Sequence, residues 1–211
     1  MQQNDPSVMP LEDALPDVYA ALADELGSLA TRATCRSGCS ACCHQLVPVA
    51  PAELRRLKNV VDDMSTERQG AVADRFAKTR DTLDELGLLD LLDAIDGSRE
   101  GIPGEIAADL GRRWAMAKVA CPFLEDDETC GIYRDRPLAC RAKLVASEPA
   151  HCAGDGRGVV PLTVQGKPPV AALAETQRST WMPLTSLMAG QVPDNAHRTS
   201  DAWRTAFARA R

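Results

Sequence analysis

The sequence predicts a mainly α fold, α+β only to the extent of one small β-hairpin, with helices around a cysteine-rich metal region. Three observations carry that expectation. Apolar residues recur at helical spacing over most of the chain. Short apolar runs flank a polar loop once, between 121 and 133. Seven of the eight cysteines fall in two blocks, Cys35–Cys43 and Cys121–Cys140, and Cys152 follows.

Taken in order, Leu15–Ala30 places Val18, Leu22, Leu26 and Leu29 on one helical stripe, with Pro16 near the start. Pro48 and Pro51 interrupt the chain after the first cysteine block. A helix then begins near Ala52, with Leu54, Leu57, Val60 and Val61 on one side. Thr66 and Gln69 form a capping-box pattern that opens a helix to about Leu86, and Gly87 stops it. A short helix over Leu88–Ile95, a loop over Asp96–Gly104 and a helix over Glu105–Lys118 follow. Cys121–Leu124 and Cys130–Tyr133 flank five polar residues and read as the hairpin. Asp135 is placed to cap a helix carrying Pro137 and Cys140. Residues 149–170 read as loop, and helices near 171–190 and 200–210 finish the chain.

A length of 211 residues with 45% hydrophobic content suits one globular domain with a core of its own. That domain, 1–211, divides into a metal-binding core at 35–152 and a helical C-terminal segment at 168–211. Thiols are not needed as staples at this size. The start Met1-Gln2-Gln3-Asn4 has no basic run and no apolar run, so the cytoplasm is the expected compartment, where disulfides are rare. No window is apolar for long enough to span a bilayer. The net charge of −6 argues against nucleic acid and anionic membranes as partners. Arg198, Arg204, Arg209 and Arg211 surround Asp201 and read as a solvated helix face.

The cysteine spacing has a chemical reading. On a helix, Cys39, Cys42 and Cys43 lie at about 40°, −20° and 80° from Cys35, all on one face. Gly38 weakens the helix, and a turn preceding a helix serves as well. The hairpin brings Cys121 towards Cys130, and the next helix adds Cys140. Clustered thiolates select zinc or iron–sulfur, and metal lowers the thiol pKa. Seven or eight thiols exceed one four-coordinate site, so two centres, or thiols outside the ligand shell, are both open. The candidate ligands are Cys35, Cys39, Cys42, Cys43, Cys121, Cys130, Cys140 and Cys152. Arg36, Arg134, Arg136, Arg141 and Lys143 are near enough in sequence to offset thiolate charge.

The run Cys35…Gly38-Cys39-Ser40-Ala41-Cys42-Cys43-His44, with Cys121-Pro122-Phe123-Leu124, Cys130, Ile132-Tyr133, Arg136-Pro137 and Cys140-Arg141, resembles the YkgJ-like cysteine-cluster family. The resemblance spans about 35–152. It implies metal chelation, the family being described as zinc- or iron-chelating and also as iron–sulfur-containing. Cys152 is similar to that family's more variable last cysteine. Some relatives are labelled flagellin lysine N-methylases, but nothing in this chain matches a methyl-donor site. The expected function is a cytosolic metal-binding protein holding an iron–sulfur cluster, which is preferred, or zinc. A metal-dependent redox or methyl-transfer enzyme and a metal carrier are the alternatives.

Other residues read more plainly. His44 faces away from Cys35 on a helix, His151 lies in a loop, and His197 is near the end. Three histidines at unrelated positions build no catalytic triad. Gly154–Gly158 lacks the flanking strand and helix of a phosphate loop. Glu125–Glu128 reads as a polar hairpin loop, and Trp114, Phe123 and Tyr133 as core.

Overall fold

The computed structural model describes residues 11–92, 104–163, 173 and 182–189. The expected helix at 200–210, the loop at 96–103, His197 and the C-terminal arginines lie outside the described residues.

Helix α1 (Leu11–Ala30) starts a turn earlier than its stripe suggested. It buries Leu11, Leu15, Val18, Tyr19, Leu22 and Leu26. Pro16 lies inside the helix, where it removes the early bond to Glu12 O, and the buried stripe around it holds the helix together. Helix α2 (Pro51–Asp62) has Pro51 at its first position and packs on α1, burying Leu54 and Leu57. Helix α3 (Thr66–Glu85) is capped by Ser65, whose hydroxyl accepts the Arg68 N–H, rather than by Thr66. Gln69 instead donates from its amide to the carbonyls of Asp62 and Met64. Gly87, at φ +62°, ends that helix as expected. Helix α4 (Gly104–Ala117) puts Leu110 and Trp114 into the core, and the Trp114 indole donates to Val119 O at 3.1 Å. Helix α5 (Leu138–Ala142) is a little over one turn.

The β content is two short antiparallel pairs. Strand β1 (Pro48–Val49) pairs with β4 (Met182–Pro183), and β2 (Leu144–Val145) with β3 (Pro161–Leu162). Both pairings differ from expectation: 149–170 contains a strand, and the described part of 171–190 contains a strand and a 3-10 helix (Leu184–Ala189). Two-residue strands lie too far apart in sequence, and are too short, for a period-two pattern to reveal them. The fold remains mainly α with a minor β part.

Three buried clusters hold these elements. One joins α1 to Ala50, Ala52, Leu138 and Leu173. A second gathers Leu54 and Leu57, Val72 and Phe76 of α3, Phe123, Ile132, Met182 and Leu184, with Cys121 and Cys130 packed against it. The third is Leu83, Leu88, Leu92, Leu110, Trp114 and Val119. Leu138, two residues before Cys140, belongs to the first.

Candidate metal centre

The first block is not a helix. Gly38 turns the chain at φ +81°, and only Ala41–His44 coil, as a 3-10 helix. Glycine suits that turn because a side chain is strained at positive φ. Cys35 and Cys39 therefore sit in loop, and Cys42 and Cys43 in the 3-10 turn. The alternative of a turn before a helix is the arrangement found.

The second block is looser than a hairpin. Leu124 and Cys130 form one isolated antiparallel bridge, closed by Gly131 N–H to Phe123 O and Glu125 N–H to Thr129 O, each 2.8 Å. Cys130 thus stands opposite Leu124 rather than Cys121. Helix α3 holds the segment down: Arg75 Nε donates to Pro122 O at 2.8 Å, and Arg75 pairs with Glu125 at 3.2 Å. Arg68 lies 3.5 Å from Glu125. Glu125 is thus a structural ion-pair partner. Phe123 is fully buried and meets Phe76 edge-to-face, centroids 5.5 Å apart.

Backbone contacts join the blocks. Cys121 N–H donates to Cys43 O at 2.7 Å. Ser40 donates to Glu128 at 3.0 Å. The 3-10 helix Pro149–Ala153, carrying buried Cys152, packs on Ala41–His44. Gln45 links this face together: its amide donates to Cys152 O at 2.7 Å, and its Oε1 accepts from Lys143 Nζ at 2.6 Å. The Cys35 thiol contacts Lys143 O at 3.8 Å.

All eight cysteines are free thiols. Cys42 is their common neighbour, its charge bearing on Cys43, Cys121, Cys130, Cys140 and Cys152. Cys152 also feels Cys35 and Cys39. The Cys43 thiol donates to the Cys42 sulfur, and with Lys143 and Arg136 nearby this lowers Cys42 to about 6 against the cost of burial. Cys43 is correspondingly raised by holding that shared proton and by burial. Burial pushes Cys121 up to about 12, and raises Cys130, Cys140 and Cys152. One thiolate among neutral thiols is the expected resting state, because several bare thiolates at this spacing would repel. Among the described residues, no three His, Cys, Asp or Glu side chains converge closely enough to hold a single metal ion.

Glu53, outside the expected set, and Arg141, expected only to offset thiolate charge, shape the site. Glu53, fully buried on α2, accepts Leu138 N–H at 2.6 Å and Ala50 N–H at 2.9 Å. It caps α5, the role expected of Asp135, which instead pairs with Arg56. Burial pushes the Glu53 carboxyl up to about 7, opposed by the two N–H groups and Arg141. Arg141 stacks 4.1 Å over the Tyr19 ring and donates to the carbonyls of Arg136 and Arg134. A glutamate two residues after a proline at a helix start is a capping signal, but its reach across 85 residues has no local trace.

Of the two described histidines, His44 Nδ1 contacts Lys118 O at 3.2 Å, and His151 Nδ1 contacts Gly158 O at 3.1 Å. Tyr133 departs from expectation, being 46% exposed, with Arg136 over its ring at 4.0 Å. No helix among the described residues is long and apolar enough to cross a membrane.

A family model, CxxCxxCC, described as a "putative zinc- or iron-chelating domain", matches residues 34–155, more than half of the chain and all eight cysteines. No curated protein and no solved structure matches.

Proposed function

Because the chain belongs to the CxxCxxCC family of zinc- or iron-chelating domains, we propose that the ligands of one or more iron–sulfur centres in a cytoplasmic protein are drawn from its eight cysteines. The observation that carries this is the meeting of three cysteine-bearing segments: Cys121 N–H donates to Cys43 O at 2.7 Å, and the Pro149–Ala153 turn with Cys152 packs on Ala41–His44; the Lys143 and Arg136 charges bear on Cys42 there. The donor set is all soft sulfur, which suits zinc or iron–sulfur and not hard cations. Lys143 and Arg136 offset the negative charge of a thiolate centre.

Within that donor chemistry we prefer iron–sulfur to zinc; a zinc ion and an oxidised four-iron cluster with four thiolates carry the same net charge, so the metal itself is read by the test below. A reducing cytoplasm keeps these thiols available as ligands. In this reading residues 35–152 hold the centre, and Leu173 and Met182–Ala189 of the following segment pack into the same core.

The test is purification without oxygen, followed by elemental analysis and an absorption spectrum. Iron with inorganic sulfide and a broad band near about 400 nm supports the reading. A colourless protein with stoichiometric zinc replaces iron–sulfur by zinc, and a protein with neither metal sinks the proposal. Metal carriage is the second reading, favoured by the partial exposure of Cys35, Cys39, Cys42 and Cys43. Rapid exchange of bound metal with a chelator would select it.

A further inference from the structure

Cys140 is oriented by a carboxylate that lies on another helix. Helix α5 has five residues, too few to be stable alone. It is held from outside. Leu138 is fully buried against α1. Cys140, two residues on, projects about 200° around the axis, away from that core. What fixes the rotation and the entry of the chain is the amide of Leu138, bound by Glu53 at 2.6 Å.

The other Glu53 oxygen binds Ala50 N–H at 2.9 Å, at the start of α2. Ala50 follows the first cysteine block through β1. One buried side chain therefore ties the segment leaving the first block to the helix carrying a thiol of the second. A side chain serving only as a cap for α2 would need the Ala50 bond alone. The second bond runs across 85 residues to the first amide of α5, whose buried Leu138 side chain packs on α1.

We propose that Glu53 is a positioning residue for the metal centre: its two oxygens set the helix carrying Cys140 in register with the first cysteine block. This rests on the reading of Cys140 as a metal ligand. A glutamine side chain cannot replace the carboxylate, because its single oxygen accepts one N–H and its amide opposes the other. An aspartate side chain keeps two acceptor oxygens on a shorter arm.

The experiment uses the full chain, purified without oxygen with its native metal, and follows release of iron and zinc to a chelator. The variants are E53Q, E53D, C140S and E53Q/C140S, with N59G, at an exposed interior position of α2, as a control for simple destabilisation of that helix. C140S and E53Q are each expected to speed release by about tenfold, within the range lost when groups supporting a metal ligand are removed. The double variant is expected to release no faster than C140S, because both changes remove the same ligand. E53D is expected to recover part of the retention, and N59G to release at the native rate. E53Q releasing at the native rate, or multiplying with C140S, overturns the role of Glu53. C140S releasing at the native rate overturns instead the reading of Cys140 as a ligand. Should E53Q not fold by circular dichroism, E53D against C140S carries the same comparison.

Discussion

The amide of Cys121 donates to the carbonyl of Cys43 at 2.7 Å, so the two cysteine blocks share a backbone hydrogen bond across 77 intervening residues. Those residues are mostly α2, α3 and α4, which fold back on themselves and return the chain to its starting point. The bond needs no side chain. Replacing either thiol therefore leaves the junction intact and removes only a donor atom.

Loss of a thiol should thus separate metal binding from folding. Cys42→Ser and Cys121→Ser are each expected to lower metal affinity by at least about tenfold with little change in the helical circular dichroism. Retention of full metal in the Cys42 variant would contradict its central position.

Cys42 should be the most acidic of the shifted thiols. In the reduced, metal-free chain its alkylation by iodoacetamide is expected to rise with a midpoint near pH 6, as its lowered pKa requires. Lys143→Met removes one of the charges that lower it and should move the midpoint upward. Mass spectrometry of the modified cysteine gives both midpoints, and one at the ordinary thiol value would refute the shift.

Glu53 gives stability a pH dependence of definite sign. Its carboxyl titrates near 7 when folded and near the ordinary 4.5 when unfolded. Between those values the folded chain holds the extra proton, so stability falls as pH rises through the window and is flat above it. The swing is about 3 kcal/mol at most. Glu53→Gln does not titrate, so its stability relative to the native chain should improve by up to that amount from about pH 5 to about pH 8. Urea denaturation at the two pH values measures the difference; an unchanged difference would refute the assignment.

Phe123 carries the packing beneath the second block. It is fully buried, meets Phe76 edge-to-face and lies two residues from Cys121. Phe123→Ala is expected to cost about 3–5 kcal/mol in urea unfolding of the metal-free chain. A cost under about 1 kcal/mol would mean that the Phe123 pocket collapses around the smaller side chain.

Much of the architecture was legible because it is local. The stripe Val18, Leu22, Leu26 and the stop at Gly87 follow from the 3.6-residue period and from a glycine's tolerance of positive φ. Where short-range rules competed, they misassigned caps by a residue or a partner: Ser65 in place of Thr66, Glu53 in place of Asp135. The strand pairs escaped notice because two-residue ladders such as Val49–Met182 carry no periodic signal.

The sulfur-ligand site proposed above was legible from cysteine spacing alone, since the chemistry of thiol donors and their grouping are properties of the sequence. The site's geometry is not. Cys42 becomes the neighbour of Cys152, and Cys140 turns towards the first block, only when α1, α2 and α5 have packed. Burial then sorts chemically identical thiols: the one beside a donor thiol and two cations becomes acidic, and those against the apolar core hold their protons. Desolvation and charge proximity act through space, so the identity of the acidic thiol belongs to the tertiary structure.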